Sequence, residues 1–533
     1  MKILIIGLDA ATIELIEPWA AAGHLPTLAR LMSEGAHGRL ISTPNMHSAS
    51  AWTSILTGLN PGRHGLFVFS DRNFATGRQE FFKGGDRTGR TLGDYLARHD
   101  MTSGFLNVPM TYPASASAGS WMISGLDAPA LNESAFSPAA LREEVFSRFP
   151  DYAFTPVGLG DLMRAGRIDD AISAWLRLTE TQTAVAEYLI EQHPTDLFMT
   201  VFTASDWGGH NLWDSPAQSR HGLRRVYESL DAAVAKLLAL ANEQTQVYVI
   251  SDHGMGPHSG ASYHLAEWLE AQGFMARQSS APPRASLMNA SRRVAKNLLP
   301  VAIKETIKSR LGAERVKQMQ AAEKDAFYDS IDWSCSRAYT EPGRHVININ
   351  LAGRNPQGIV AAGDYQSVCA ELIAALSEWR DARGTAVVER VARRDELYAG
   401  PFVERASDLY IYWNPQAAFG EPPREVRERG YWWSGDHRPE GILIARGPGM
   451  APGARLNEPV VYDLLPTLMY AAGLPVPGDL DGRVIEQAFS EAHLSANPLR
   501  LDRATADTAS EPGTLSEAEE EMIEEKLRAL GYL

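Results

Sequence analysis

The chain contains few cysteines and no long apolar run. Its only two cysteines in 533 residues, Cys335 and Cys369, cannot build a disulfide framework or a zinc–cysteine cluster, which is typical of a reducing compartment. No segment reaches the roughly 18 consecutive apolar residues that cross a membrane. The apolar run Ile3–Leu8 is too short for a signal peptide and precedes no cleavage site. We therefore expect a cytoplasmic protein that holds any metal through histidine and carboxylate.

Basic charge is also scarce, because 50 lysines and arginines face 65 acidic residues and leave a formal charge of −15. This balance excludes a protein that binds nucleic acid polymers through its overall charge. One segment differs, since residues 277–324 contain eleven basic residues and three glutamates. Its pattern predicts a basic helical segment that is solvated or docked on the protein. The alternative is a peripheral surface for an anionic membrane or another polyanionic partner.

Short apolar runs rich in β-branched residues alternate with amphipathic stretches, which predicts βαβ units and a mostly parallel sheet in an α/β protein. The predicted strands are Lys2–Leu8, Thr102–Val108, Asp196–Thr203, Gln246–Ser251, Asp408–Trp413 and Gly441–Ala445. The predicted helices include Leu25–Glu34, Thr91–Arg98, Ile168–Gln192 and Leu223–Asn242. Ligands bind beyond the carboxyl ends of such strands, so polar residues that follow a strand are candidates for chemistry.

Aspartate and histidine recur at or soon after apolar runs, or next to a strand. The candidates are Asp9, Asp206 with His210, Asp252 with His253, and Asp436 with His437. Each aspartate alone is typical of a helix cap or a turn. Four such segments are better explained jointly as a metal site, because carboxylate and neutral imidazole bind zinc where cysteine is absent. The spacing Asp206-x-x-x-His210 also allows both side chains to face one ion.

A fifth segment opens with small hydroxyl residues at Ser48. The pattern predicts a helix over Ala51–Leu56 that Gly58 ends. A hydroxyl at a helix N-terminus is well placed as a nucleophile towards a phosphoryl group, which the N–H groups and the helix dipole favour. The alternative is a serine that only caps the helix.

These motifs occur in the order found in the alkaline phosphatase superfamily. They are Gly7-Leu-Asp9, Ser48 with Thr57-Gly58, Pro61-x-x-His64-Gly65, Asp206-x-x-x-His210, Ser251-Asp-His253-Gly254 and Gly435-Asp-His437. The chain resembles the type I phosphodiesterase/nucleotide pyrophosphatase branch and, within it, the prokaryotic predicted phosphohydrolases/phosphomutases. Those proteins share the landmarks Asp332-Trp333, Glu396-Leu-Tyr-x-Gly400, Asp463-x-x-Pro466-Thr and Gly473-x-Pro475. The resemblance covers about residues 1–490 and the closing Leu-Gly-Tyr.

The resemblance implies an alkaline-phosphatase-like three-layer α/β sandwich with an inserted α+β region. We expect a discontinuous metal-binding hydrolase core over residues 1–264 and 405–490, an inserted cap or accessory region over 265–404, and an acidic linker with a C-terminal helix over 491–533. The helix is predicted by a capping box, Ser516-Glu-Ala-Glu519, before an apolar pattern.

The resemblance also implies two divalent metal ions, zinc or alternatively manganese. It places Asp206, His210 and His437 on one ion, and Asp9, Asp252, His253 and Ser48 on the other. Ser48 would be the catalytic nucleophile of a metal-dependent phosphoric-ester hydrolase, a phosphodiesterase or phosphatase that forms a phosphoserine intermediate. The substrate would be a small-molecule phosphate ester.

Several departures leave the ester class open. Serine occupies position 48, where diesterase relatives often carry threonine, while His47 stands where monoesterases carry aspartate. No arginine in the sequence lies beside Ser48 to bind a monoester dianion. The proline and arginine that sulfatases need after this position are absent as well. The alternatives are a phosphomutase that uses the same phosphoserine and a non-catalytic binding or regulatory protein on the same fold.

Other residues near the motifs have either a functional or a packing interpretation. His47 could contact phosphate, His64 is expected to be structural, and either His258 or His264 could support a metal ligand. The aromatic and amide side chains near the motifs could shape a leaving-group pocket, although packing is commoner. They are Trp207, Asn211, Trp432 and Trp433.

Overall fold

A central sheet organises the chain, for which the computed structural model describes residues 1–213, 218–278, 327–419, 433–502 and 515–530. Within these ranges the sheet has eight strands in the order β2-β16-β9-β1-β8-β5-β6-β7. The five strands from β9 to β6 run parallel to one another, whereas β16 pairs antiparallel with β9 and β2, and β7 pairs antiparallel with β6. The strands are β1 Ile3–Leu8, β2 Ala36–Ile41, β5 Ser103–Val108, β6 Trp121–Ser124, β7 Phe136–Ser137, β8 Leu197–Phe202, β9 Gln246–Ile250 and β16 Glu440–Arg446.

Both faces of this sheet are buried, which explains why its central strands are continuous apolar runs. Along β1, Ile3 and Ile5 pack into one apolar cluster, whereas Leu4 and Ile6 pack into another on the opposite face. The helices are Ile13–Ala21, Pro26–Glu34, Ser48–Thr57, Pro61–His64, Leu92–Ala97, Leu141–Arg148, Leu159–Arg164, Ile168–Gln192, Ala204–Leu212, Gln218–Leu238, Ala261–Ala271, Tyr365–Ser377, Arg394–Leu397, Leu464–Ala471, Glu491–Ala496 and Glu517–Leu530. This architecture confirms the predicted α/β class.

A smaller antiparallel sheet belongs to the inserted region. Its order is β11-β12-β14-β13, with strands β11 Ala338–Tyr339, β12 Val346–Ile349, β13 Val388–Arg393 and β14 Leu409–Trp413. It shares an apolar core with the helices Ala261–Ala271 and Tyr365–Ser377. Strand β14 was correctly predicted as a strand but falls in the 405–490 range assigned to the core, whereas it pairs within this smaller sheet. The domain division as a whole stays a prediction.

The smaller sheet contacts the core close to Ser48. The hydroxyl of Tyr412 on β14 donates to the carbonyl of Pro44 at 2.9 Å. The guanidinium of Arg72, in the hairpin of β3 Ser70–Arg72 and β4 Gln79–Phe81, lies 4.0 Å from the ring centre of Tyr328. These contacts fix the inserted sheet beside the segment that precedes the predicted nucleophile.

The C-terminal helix Glu517–Leu530 packs on the core through Ile523 and Leu527, both buried. Ser516 and Glu519 form the predicted capping box, since the Ser516 N–H donates to Glu519 Oε2 at 2.9 Å and the Glu519 N–H to Ser516 Oγ at 3.3 Å. The pair β17 Val476–Pro477 and β18 Leu501–Asp502 precedes it.

The predictions about the basic segment and about membrane-spanning helices can be compared with only part of the chain. All but two residues of the basic segment 277–324 lie outside them, so its membrane or docking role stays a prediction. Among the helices that are described, none is both long and apolar enough to span a bilayer. Cys335 and Cys369 are both free thiols.

Candidate metal centre

Most of the predicted ligands follow adjacent parallel strands and therefore lie at one edge of the large sheet. Asp9 follows β1, and the helix Ala204–Leu212 that carries Asp206 and His210 begins soon after β8. Asp252 and His253 follow β9, where the chain leaves the strand conformation and bends. Because β1 pairs in parallel with both β8 and β9, these carboxyl ends lie side by side.

His437 reaches the same edge through a two-stranded ladder. Strand β15 Gly435–Arg438 pairs antiparallel with β10 Gly254–Pro257, which directly follows His253. The ladder requires very small residues, since a Cβ on Gly435 would lie 2.1 Å from the carbonyl oxygen of Gly209. The glycines therefore allow His437 to approach ligands that are far away in sequence.

Three predicted ligands form a first group. The Nε2 atoms of His210 and His437 lie 2.9 Å apart. Asp206 Oδ1 lies 3.4 Å from His210 Nε2 and 3.3 Å from His437 Nε2. The three donor atoms thus lie within 3.4 Å of one another, and their binding of one cation stays a prediction.

The other four predicted ligands form a second group around His253. Its Nε2 atom lies 3.0 Å from Ser48 Oγ, 3.3 Å from Asp252 Oδ2 and 3.8 Å from Asp9 Oδ1. All four residues are fully buried. The two groups adjoin, because the ring centres of His253 and His437 are 3.8 Å apart and His253 can also join Asp206 and His437 around one ion. All seven predicted residues thus meet in one cluster, while their ligand roles stay predictions.

Backbone carbonyls fix the three histidines in the same tautomer. The Nδ1 atoms of His210, His253 and His437 lie 3.0, 3.1 and 2.7 Å from the carbonyl oxygens of Gly435, Gly254 and Met46. A carbonyl oxygen only accepts, so each Nδ1 carries a proton, and the neutral form of each ring presents the lone pair of Nε2 to the cluster. This arrangement of imidazoles is typical of metal ligands.

Some carboxylate oxygens in the cluster have no hydrogen-bond donor among the described residues. Among the described residues, Asp9 Oδ1 and Asp252 Oδ2 are buried and receive no hydrogen bond. The Nε2 atoms of His210 and His437 also face each other at 2.9 Å. Burying such groups is costly unless a positive charge lies between them, so this donor set fits a divalent cation.

The electrostatics of the two groups differ. Burial, followed by the charges of Asp252 and Asp206, raises the pKa of Asp9 well above its usual value, and burial raises the pKa of Asp252 to about 6. Burial would also raise the pKa of Asp206, but the charge and hydrogen bond of His210 and contacts to His437 outweigh burial and lower it. A cation beside Asp9 and Asp252 would relieve their repulsion.

Ser48 begins a helix that ends where the sequence predicted. The helix Ser48–Thr57 starts before the predicted Ala51 because His47 caps it, with the Ala49 N–H donating to His47 Nδ1 at 3.2 Å. Gly58 ends the helix in the left-handed conformation, at φ 68°. The Ser48 hydroxyl therefore lies at the positive end of the helix dipole.

Two residues with unusual backbone conformations hold the groups in place. Met46 has φ 49° and directs its carbonyl to His437, and Ala10 has φ 56° and donates its N–H to Asp252 Oδ1 at 3.2 Å. Side chains rarely adopt this region without a compensating contact, so both residues support the cluster at some cost in strain.

A second cluster of histidines surrounds Asp436, and its tautomers are reversed. His258 Nδ1 accepts from the Gly260 N–H at 2.9 Å, and His345 Nδ1 accepts from Trp413 Nε1 at 3.2 Å. Their protonated Nε2 atoms therefore face Asp436, at 3.9 Å and 3.4 Å. Asp436 Oδ1 in turn accepts from the His437 N–H at 2.9 Å. These residues position His437 and do not present lone pairs to an ion.

No role was predicted for His345 or Arg344, which come from the insertion. No local signal marks them, since their proximity depends on how the smaller sheet docks. The pKa of His47 is lowered by burial, followed by the charge of His437 and then the charge of Arg344.

The remaining candidates divide between site and core. Trp433 stacks on His210 with ring centres 4.0 Å apart, whereas Trp207 packs against Trp175 in the core. His64 is buried 3.0 Å from Ser54 Oγ, and burial lowers its pKa to about 3, as expected of a structural residue. His264 Nδ1 contacts Glu267 and Asn211 bonds the Trp207 carbonyl. Trp432 lies outside the described residues.

Comparison with known proteins agrees with this architecture. The model of the type I phosphodiesterase/nucleotide pyrophosphatase family matches residues 3–439. Phosphonoacetate hydrolase from Sinorhizobium meliloti 1021 is 14% identical over 88% of this chain and 95% of its own, with a TM-score of 0.50. Human ectonucleotide pyrophosphatase/phosphodiesterase 5 is 12% identical over 93% and 99%, with a TM-score of 0.48. No curated protein sequence matches the chain.

The chain shares its fold with the phosphonoacetate hydrolase. Because the family match spans most of the sequence, the chain belongs to the type I phosphodiesterase/nucleotide pyrophosphatase family and is a phosphoric ester hydrolase.

Proposed function

We propose that the chain hydrolyses small-molecule phosphate esters with Ser48 as the nucleophile, at a site for two divalent cations. The observation that carries this proposal is the position of Ser48 Oγ, which is buried at a helix N-terminus and lies 3.0 Å from His253 Nε2. A nucleophile at this place meets both the carboxylate cluster and the N–H groups that stabilise phosphoryl oxygens. The S. meliloti hydrolase, solved in complex with phosphonoformate, agrees with a small ligand.

The ligand groups fit two cations. Asp206, His210 and His437 would hold one, and Asp9, Asp252, His253 and Ser48 would hold the other. Imidazole with carboxylate favours zinc, and manganese is the alternative. When bound, the cations supply electrostatic stabilisation of the attacking and leaving oxygens of an in-line displacement.

The chain's own residues define the order of events. Ser48 Oγ attacks phosphorus, the bond from phosphorus to the leaving oxygen breaks, and the alcohol departs from a phosphoserine. Water then attacks the phosphoserine and releases the phosphate while Ser48 regains its proton. The N-terminus of the helix Ser48–Thr57 stabilises the negative charge that collects on the remaining phosphoryl oxygens.

The proposal is tested with aryl phosphate monoesters and diesters in the presence of zinc or manganese. Ser48→Ala is expected to abolish turnover, while calorimetry still detects metal binding, because several other ligands remain. The matched control is Ser54→Ala, which removes a hydroxyl from the same helix that contacts His64 instead. Acid quenching followed by mass spectrometry should find phosphate on Ser48 in the parent protein.

Retention of most of kcat in Ser48→Ala would refute the covalent route. Transfer of the phosphoryl group to a sugar or acid, without release of inorganic phosphate, would instead identify a phosphomutase. Failure of every ester with every metal would leave the non-catalytic alternative.

A further inference from the structure

The indole of Trp52 donates its N–H to a carboxylate oxygen of the predicted ligand Asp9. Trp52 Nε1 lies 3.3 Å from Asp9 Oδ2, and both side chains are fully buried. Trp52 comes four residues after Ser48 in the helix Ser48–Thr57, so the two side chains lie on the same face of that helix. The helix that carries the predicted nucleophile therefore also contacts a predicted metal ligand.

The backbone of Asp9 is held on two sides, which leaves its carboxylate as the part that can turn. Its N–H donates to the carbonyl of Phe202 at 2.9 Å, and its carbonyl accepts from the hydroxyl of Ser205 at 2.6 Å. Oδ2 accepts from Trp52, whereas Oδ1 is buried and receives no hydrogen bond from the described residues. Oδ1 lies 3.8 Å from His253 Nε2, in the second group of predicted ligands. The indole therefore distinguishes the two oxygens of Asp9 and leaves Oδ1 facing that group.

A glycine in β1 makes room for the indole. Gly7 lies inside the strand and two residues before Asp9, although a glycine weakens a strand interior. A Cβ on Gly7 would lie 2.6 Å from Cη2 of Trp52 and 2.8 Å from Cγ2 of Val201. Both distances are too short for carbon atoms, so a larger residue would displace the ring. Close packing against β1 thus fixes where the indole lies relative to Asp9.

We infer that Trp52 is a positioning residue, whose N–H holds Asp9 Oδ2 so that Oδ1 is directed at the cation of the second group. The inference rests on the proposed function, because it concerns one of the two proposed cation sites. Groups that hydrogen-bond a metal ligand orient it, and their loss commonly lowers metal affinity or activity by about 10- to 100-fold. A contact of 3.3 Å is long for a hydrogen bond, so the lower end of this range is expected.

The test titrates the metal-free full chain with zinc by calorimetry. Trp52→Phe keeps an aromatic ring but removes the N–H, so it should lower the affinity for one zinc ion by about tenfold. The affinity for the other ion should change by less than about threefold. The weakened ion should be the one that Asp252→Asn also weakens. The zinc concentration that gives half-maximal turnover of an aryl phosphate should rise by the same factor of about ten.

The matched control is Trp121→Phe. Trp121 is also buried, and its Nε1 donates to the carbonyl of His193 at 2.9 Å, so the variant loses the same N–H and a similar volume. It should keep both zinc affinities. Thermal melting shows whether each variant is folded, because the smaller ring leaves a cavity. If Trp52→Phe does not fold, 3-benzothienylalanine is incorporated at position 52, since its sulfur replaces the N–H in a ring of nearly the same shape. It should give the same loss of about tenfold.

Unchanged zinc affinity in a folded protein that lacks the indole N–H would overturn the inference. Equal losses for both ions, or an equal loss in Trp121→Phe, would overturn it as well, because either result reflects a general effect on the fold. The proposed function fails separately if the parent protein binds two ions but hydrolyses no ester. Calorimetry then still decides the role of Trp52, because the titration requires no turnover.

Discussion

Replacing His345 tests whether the inserted sheet positions a metal ligand. Its protonated Nε2 lies 3.4 Å from Asp436 Oδ1, and the same oxygen accepts from the His437 N–H at 2.9 Å. Burial would raise the pKa of Asp436, but the charges of His345, His258 and Arg438 outweigh burial and lower it, so the carboxylate is ionised. His345→Ala removes a donor from this buried anion, which then holds His437 less firmly.

The size of the effect follows from the distance. A hydrogen bond to a charged group contributes about 1.5–3 kcal/mol, and a contact of 3.4 Å falls at or below the lower end. His345→Ala should therefore weaken one metal site by at most about tenfold. His258 lies farther from Asp436, at 3.9 Å, so His258→Ala should change that affinity by less than about threefold.

Calorimetric titration of the metal-free variants with zinc measures the zinc affinity of His345→Ala and of His258→Ala. His345→Gln, which keeps an N–H donor, should restore part of the loss, and kcat at saturating metal should return towards the parent value. The exposed pair of His264 and Glu267 offers a control, His264→Ala. Unchanged metal affinity in a folded His345→Ala protein would show that the Asp436 cluster does not position His437.

The predicted ligands should fall into two classes when metal binding is titrated. One class is Asp206, His210 and His437, and the other is Asp9, Asp252 and His253. Asn or Ala substitutions within a class should each lower the affinity for the same metal ion by at least about 10-fold. The grouping would be contradicted if substitutions of one class lowered the affinities for different ions. Lys526 gives a stability prediction, because burial lowers its pKa to about 7. The unfolded chain then binds more protons between pH 7 and about 10.5, so the free energy of unfolding rises with pH there, by at most about 1.4 kcal/mol per pH unit. Lys526→Met should remove this slope in denaturant unfolding measured at several pH values, and a slope that persists would assign it to other groups.

The sequence predicted strands that are buried on both faces, because they are continuous apolar runs. It also predicted the position of polar residues that directly follow such a strand. The apolar run Ile3–Leu8 could only be a buried strand, and Asp9 therefore had to lie at its carboxyl end. The helix Ile168–Gln192 was predicted to the residue because its apolar face repeats over seven turns.

Features that depend on docking between sheets could not be predicted in the same way. The apolar pattern of Leu409–Trp413 identifies a strand, but the same pattern suits either sheet, so the sequence did not show that this strand pairs within the smaller one. The contact between His345 and Asp436 joins residues 91 positions apart in sequence and depends on the angle at which the smaller sheet meets the core. Neither residue type nor spacing encodes that angle locally.

The position of β16 between β2 and β9 has a consequence for how the chain folds during synthesis. Strand β2 pairs only with β16 among the described strands, and its isolated bridges reach Arg455 and Val460. A ribosome must therefore complete about 400 residues beyond β2 before that strand finds its partners. Until then the nascent chain exposes an open strand edge, which is prone to aggregation and attracts chaperones. Expression fragments that stop at residue 439 should consequently be insoluble, even though they contain all seven clustered side chains.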